Sequence, residues 1–346
     1  MFRKHVSNYN NKRNNMFRNH HCIWSLTGTL CSVFFFVHGL TSTAWAQSGF
    51  QRRATTLADL SGMVWVGGDR FIAVHDAKAE GEQFLPRVAD LRLPKSLRGV
   101  TYRDSRLCVR GEVPNDLESV ARIPGRREVL LVESGDGPDG PAIKKIYKAS
   151  IQSQGIRVTK AVEWPFDITN VEGSAVACLG GTYVFVFAER ADNQASTELT
   201  WVKFDPKRMK FAKKSRSVTF PQPDPDRFNR VIVGLDIDSN GLIYSVSAFD
   251  PENAGPPLSD DADNGPYAAG VYLIGSIGLE SDQPQINLFD TPAVVGLVDG
   301  FKVETVAVRE DSDSGSYEIF IGTDDENYGG VLRRLPPPVL PAGIEN

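Results

Sequence analysis

The stretch NVEGSAVACLGGTYVFVFAER, residues 170–190, holds a polar strand start, an apolar run, a Gly-Gly turn and a second apolar run ending in Glu-Arg. β-Branched and aromatic runs flanking a two-glycine turn read as a β-hairpin. Nearly the same phrase stands at 116–136, DLESVARIPGRREVLLVESGD, and at 302–326, KVETVAVREDSDSGSYEIFIGTDDE. Looser copies stand at 61–76, SGMVWVGGDRFIAVHD, and 231–250, VIVGLDIDSNGLIYSVSAFD.

Two further apolar runs follow each hairpin except the last, which has only GGVLRRLP, so the repeating unit is four strands long. The landmark positions Ser61, Glu118, Glu172, Val233 and Glu304 are 57, 54, 61 and 71 residues apart. A repeat of this length, all strand and with no convincing amphipathic helix, predicts an all-β fold: a β-propeller of five four-stranded blades. A sixth, degenerate blade and a two-sheet sandwich are the competing architectures. The fifth unit lacks a strand, and QRRATTLADL (51–60) is its expected donor, closing the ring and removing open sheet edges. The propeller then spans 51–338, with 339–346 a tail.

The first 46 residues read differently. They carry five basic residues and no acidic one, then the apolar run LCSVFFFVHGL, then Ala44-Trp45-Ala46. This is the pattern of a secretory signal peptide cleaved after Ala46, and Met16 is an alternative start. The apolar run is short for a membrane anchor. A secreted or periplasmic protein is expected. Without those five basic residues the remaining 300 have a formal charge of −10 rather than −5. That excludes nucleic acid or an anionic membrane surface as the main partner and suits cations. No later stretch is long and apolar enough to span a bilayer.

Four of the five histidines lie in the leader, which leaves His75. A multi-histidine zinc site is therefore impossible. Of four cysteines, Cys108 and Cys178 remain, on an outer and an inner strand, and are expected to be buried thiols rather than a bridge. Any metal is a hard cation held by oxygens.

In a propeller the first strand of each blade lines the central channel, so Ser61, Glu118, Glu172, Val233 and Glu304 form a ring at its mouth. Three carboxylates on one axis repel one another unless a cation is present. With one, they form an oxygen cage that suits calcium better than magnesium. Polar lining of a water-filled channel is the simpler reading of the same ring. Val233 supplies no side-chain ligand, and Asp236 is placed to face the channel instead. A second ring, Asp76, Glu133, Glu189, Asp250 and Asp324, ends the second strands on the same face, beside His75, Lys78, Arg190, Asp136, Asp192, Asp325 and Glu326. Asp at strand ends also serves turns.

The strand starts Ser, Glu, Glu and Glu in DLSGMVW, DLESVA, NVEGSAV and KVETVAV resemble those of the calcium-activated nucleotidases, or soluble apyrases. The E-[SGT]-x-[AV] strand is also similar to that of the phytase-like esterase group of secreted bacterial propellers. The first resemblance implies an axial calcium ion held by Ser61, Glu118, Glu172 and Glu304, with Val233 where that family has Ser. It implies that Arg190 lies near substrate phosphates and that Asp76 is an acidic residue of the first blade's site.

Three functions follow as expectations. The first is a calcium-dependent hydrolase of phosphate esters or anhydrides, with Asp76 or Glu133 orienting water and Arg190 holding phosphate. The second is a non-catalytic propeller binding a small anion or a partner, its calcium a structural pin. The third is a lactonase or esterase using His75 or a metal-bound water as base. Elsewhere, DDADNG (260–265) and SGDGPDGP (134–141) read as an acidic loop and a tight turn. The basic residues Lys207, Arg208, Lys210, Lys213, Lys214 and Arg216 read as a solvated outer face, with a local anion patch as the alternative.

Overall fold

The computed structural model describes residues 59–76, 88–96, 98–105, 107–108, 114–135, 144–153, 155–251, 265–311, 316–324 and 330–336. All belong to the unit Ser48–Asn346. The signal-peptide reading, the tail, Lys78, Asp136, Asp325, Glu326 and nearly all of the strand expected at 51–60 lie outside the described residues.

Every described element is a strand, and the strands fall into five antiparallel sheets in chain order. Blade one holds β1 (Gly62–Gly67), β2 (Arg70–Val74), β3 (Val88–Arg92) and β4 (Thr101–Asp104). After β5 (Leu107–Cys108), blade two holds β6 (Leu117–Arg122), β7 (Glu128–Glu133), β8 (Lys145–Ile151) and β9 (Ile156–Glu163). Blade three holds β10 (Val171–Leu179), β11 (Thr182–Glu189), β12 (Ser196–Asp205) and β14 (Arg216–Pro221), with β13 (Lys210–Phe211) as a short extra pairing on β12. Blade four holds β15 (Arg230–Ile237), β16 (Leu242–Phe249), β17 (Ala268–Glu280) and β18 (Gln283–Asp299). Blade five shows β19 (Val303–Asp311), β20 (Ser316–Thr323) and β21 (Leu332–Leu335). The inner strands β1, β6, β10, β15 and β19 touch in sequence, and β19 returns to β1. The chain is a five-bladed β-propeller.

Five apolar clusters hold the ring, one at each blade-to-blade junction. The closing junction between blades five and one is built like the rest. Phe71 meets Phe320 edge-on at 5.2 Å, Met63 N donates to Thr305 Oγ1 at 2.7 Å, and Leu60 N donates to the Thr323 carbonyl at 3.0 Å. Each cluster draws on the alternate, inward-pointing residues of two neighbouring sheets, the period of two that the sequence shows.

Two strand readings change. The run GVTYRDSRLCVRGE is not one outer strand: β4 ends at Asp104, and Leu107–Cys108 crosses to pair in parallel with β9 of blade two. Leu107 packs against the blade one–two cluster, which draws the chain across. Cys178 is exposed rather than buried, because it lies beyond the last buried residue of β10, Ala177. The blade-four hairpin β17–β18 is long, with strands of 13 and 17 residues. It closes through Ser281 and Asp282, both at positive φ, the backbone of a type I′ turn.

Candidate functional site

The inner strands crowd most closely just below the mouth, and this explains the small residue after each landmark. A Cβ on Gly234 would sit 2.7 Å from the Glu304 carbonyl oxygen, and one on Gly62 would sit 3.0 Å from Ser119 Cα. Gly, Ser or Thr at this position lets neighbouring backbones meet.

The landmark residues themselves stand on irregular pairings. In β6, β10 and β19 the ladder skips one residue, and the skipped residue is Glu118, Glu172 and Glu304 respectively. A bulge re-aims a side chain that regular pleating would place elsewhere. All three glutamates are buried, as is Ser61.

The three glutamates do not share one environment. Toward blades one and two, Glu118 has a carboxylate oxygen within 4.8 Å of oxygens of Asp76 and Asp116. Asp116 is buried, Asp76 half-buried, and Ser134 Oγ donates to Asp116 Oδ2. Ser61 Oγ, 2 % exposed, has no hydrogen-bond partner.

Toward blades three to five, the chain supplies its own cations. Arg190 Nη1 donates to Glu172 Oε1 at 2.7 Å, and Arg190 Nε lies 2.8 Å from Asp192. Arg230, 1 % exposed, reaches Asp250 at 2.9 Å, Glu304 at 3.3 Å and Asp192 at 3.5 Å. Lys302 Nζ lies 3.2 Å from Glu304 and 3.4 Å from Asp250. Four carboxylates thus face three cations. Burial pushes the Glu172 carboxyl up to about 7; Arg190 opposes the shift and Glu304 adds to it. The excess negative charge favours one retained proton. Burial disfavours the Arg190 charge, yet Glu172 and Asp192 hold its pKa above the ordinary guanidinium range.

Val233 is fully buried in the blade four–five cluster, and the polar group that its blade sends to the mouth is Arg230. Asp236 sits deeper in the channel, accepting from Val308 N and Ile237 N, with its carboxyl raised to about 7 by burial. Nearby, Arg122 lies 4.0 Å from Glu310.

The second ring divides likewise. Asp76 and Asp250 join the two mouth clusters. Glu133 turns into its own blade and takes Asn115 N, Lys145 N and Tyr147 Oη at 2.9–3.0 Å. Burial raises its carboxyl to about 7 against those three donors. Glu189 accepts from Thr169 N. His75 has both ring nitrogens engaged. Nδ1 donates to the Asp59 carbonyl, which can only accept, and Nε2 lies 3.0 Å from Tyr102 Oη. The structure therefore brings Asp76 to Glu118, and Arg190 to Glu172 with Glu304 nearby, and it sets Glu133 apart. Three contributors escaped the sequence reading. Asp116 lay one residue outside the repeat's strand register, and Arg230 and Lys302 precede landmark positions read only for carboxylates.

No protein-family model matches the chain, and no curated protein matches it. Its fold is similar to solved family-43 glycoside hydrolases. These include an α-L-arabinofuranosidase from Clostridium thermocellum, 15 % identical over 84 % of this chain and 96 % of that one, with a TM-score of 0.44. A thermostable family-43 enzyme is 11 % identical over 84 % of this chain and 91 % of that one, TM-score 0.48. An arabinanase from Bacillus subtilis is 12 % identical over 82 % and 94 %, TM-score 0.40. These neighbours are glycoside hydrolases rather than nucleotidases or phytase-like esterases. At such identities and TM-scores the likeness carries no argument about activity.

Proposed function

We propose that this chain is a cation-binding propeller, exported as its leader suggests, whose mouth holds a divalent ion and receives a small anion. Hydrolysis of phosphate esters or anhydrides is the activity to test first. The observation that carries the reading is the partition of charge around the mouth. Three carboxylates close enough to share one ion converge over blades one and two, and acid interleaved with arginine and lysine lies over blades three to five.

Asp76, Asp116 and Glu118 would hold the ion, with the buried, unpartnered Ser61 Oγ as a further oxygen. An all-oxygen donor set suits calcium. Bound there, such an ion would supply a Lewis acid for a phosphoryl oxygen. Glu172 and Glu304, expected from the resemblance to join an axial cage, are instead assigned to holding Arg190, Arg230 and Lys302. Arg190 has the most exposed side chain of those cations and is pre-aimed by Glu172 to receive an anionic oxygen. Asp76, the least buried of the acidic trio, orients water. Glu133 is excluded from that role by its three donors, and His75 is held by Asp59 and Tyr102.

A second reading rests on the burial of Asp116 and Glu118: the ion pins blade one to blade two and does no chemistry. Thermal melts with chelator, calcium or magnesium, paired with turnover of p-nitrophenyl phosphate and a nucleoside diphosphate, separate the two. A calcium-specific rise in Tm with turnover, both lost in Asp76→Asn, supports the hydrolase. A rise without turnover leaves the pin. No rise with either ion ends both.

A further inference from the structure

At the opposite end of the propeller from the mouth, blade three carries a dense run of basic residues. Residues 203–216 contain seven basic residues and one acidic residue in a chain of net charge −5. The turns β10–β11 and β12–β13 flank a shallow, open hollow there, bordered by Arg126 of blade two and by Tyr183, Lys203, Lys207, Arg208 and Lys210. Lys207, Arg208 and Lys210 are exposed. The lone acid is already committed to the turn. Asp205 Oδ1 accepts from Lys207 N at 2.8 Å and Arg208 N at 3.1 Å, closing the turn, and its Oδ2 lies 3.8 Å from Arg208 Nε.

The floor is aromatic, but its rings face one another. Phe204 is buried and stacked on Phe211 at 5.4 Å, and Tyr183 meets Phe204 edge-on at 6.1 Å. Single-stranded nucleic acid needs open ring faces for its bases. An apolar floor under a cationic rim instead suits a sugar ring bearing acidic groups.

We propose that this hollow on blade three binds an anionic polysaccharide, its sulfate or carboxylate groups meeting Lys207, Arg208 and Lys210 above the apolar Tyr183–Phe211 floor. The site is remote from the mouth and stands or falls independently of the function proposed there.

Titration calorimetry with heparin oligosaccharide and with oligogalacturonate, at two salt concentrations, tests it and distinguishes sulfate from carboxylate. Lys207→Glu/Lys210→Glu should weaken binding about tenfold or more, and binding should fall with salt as expected for a polyanion. The control Arg103→Glu/Arg333→Glu makes the same charge change at exposed positions on blades one and five and should weaken it by less than about twofold, since long-range charge is screened. Equal losses in both variants would assign the effect to net charge and overturn the site. So would tighter binding of duplex DNA or polyphosphate, binding of neither saccharide at physiological salt, or self-association that the Lys207→Glu/Lys210→Glu variant abolishes.

Discussion

The two sides of the channel mouth solve one electrostatic problem in different ways. Over blades three to five, the buried acids Glu172, Asp250 and Glu304 are met by Arg190, Arg230 and Lys302, so that side is close to neutral on its own. Over blades one and two, carboxylate oxygens of Asp76, Asp116 and Glu118 converge within 4.8 Å of one another. Buried charge is tolerated only when paired. The first side carries its own cations, and under the proposed reading the second takes a cation from solvent. Blades built on one repeat have diverged two residues before each landmark: Asp116 in blade two, but Lys302 in blade five.

The comparison breaks most sharply at Arg230. Arg230→Met leaves Asp250 and Glu304 to share Lys302 in a buried site, and we expect a loss of about 3–5 kcal/mol in chemical denaturation. A loss below about 1 kcal/mol, the size of an exposed pair, would mean that the pairing is dispensable.

A cation titration probes the other side. Saturating calcium, at about 100 times its Kd, should stabilise the wild type by about 2.7 kcal/mol. Glu118→Gln should abolish the gain, while Glu172→Gln should keep it. The reverse pattern would return the ion to the axial ring.

Gly234→Ala tests how firmly the inner strands hold the network. Its Cβ would fall 2.7 Å from the Glu304 carbonyl, so the backbone must shift, at an expected cost of about 1–3 kcal/mol. Gly278→Ala, where a Cβ meets nothing within 4 Å, is the control.

The smallest effect is one of pH. Burial raises Asp236 to about 7 from an ordinary 3.8, and Glu133 and Glu172 to about 7 from 4.5. A raised folded-state pKa means that the folded chain binds the proton more tightly. That contribution to stability is full below the ordinary carboxylate range and is lost as pH rises towards 7. The Tm should fall over that window, and Asp236→Asn should flatten the fall. An unchanged slope in that variant would place the titration elsewhere.

Much of this architecture was legible in the sequence because strands declare themselves locally. The Gly-bounded turn and apolar runs of VEGSAVACLGGTYVFVFAER place β10 residue for residue and β11 to within one residue. The landmark spacing sets the blade count, since each blade must bury both faces against its neighbours. Even the Gly, Ser or Thr after each landmark is a local mark of close backbone approach.

The site was less legible, because partners there come from different blades. The sequence by itself determined that three glutamates would stand at equivalent strand starts around one channel. It could not determine which would be neutralised, since Arg230 reaches Glu304 across 74 residues and the arginine lies three positions before a landmark that reads as valine. Only the tertiary structure decided that, by closing the ring and bringing charges of opposite sign within about 3 Å on one side and of like sign within 4.8 Å on the other. Coulomb energy in a buried site depends on separations that chain order does not encode.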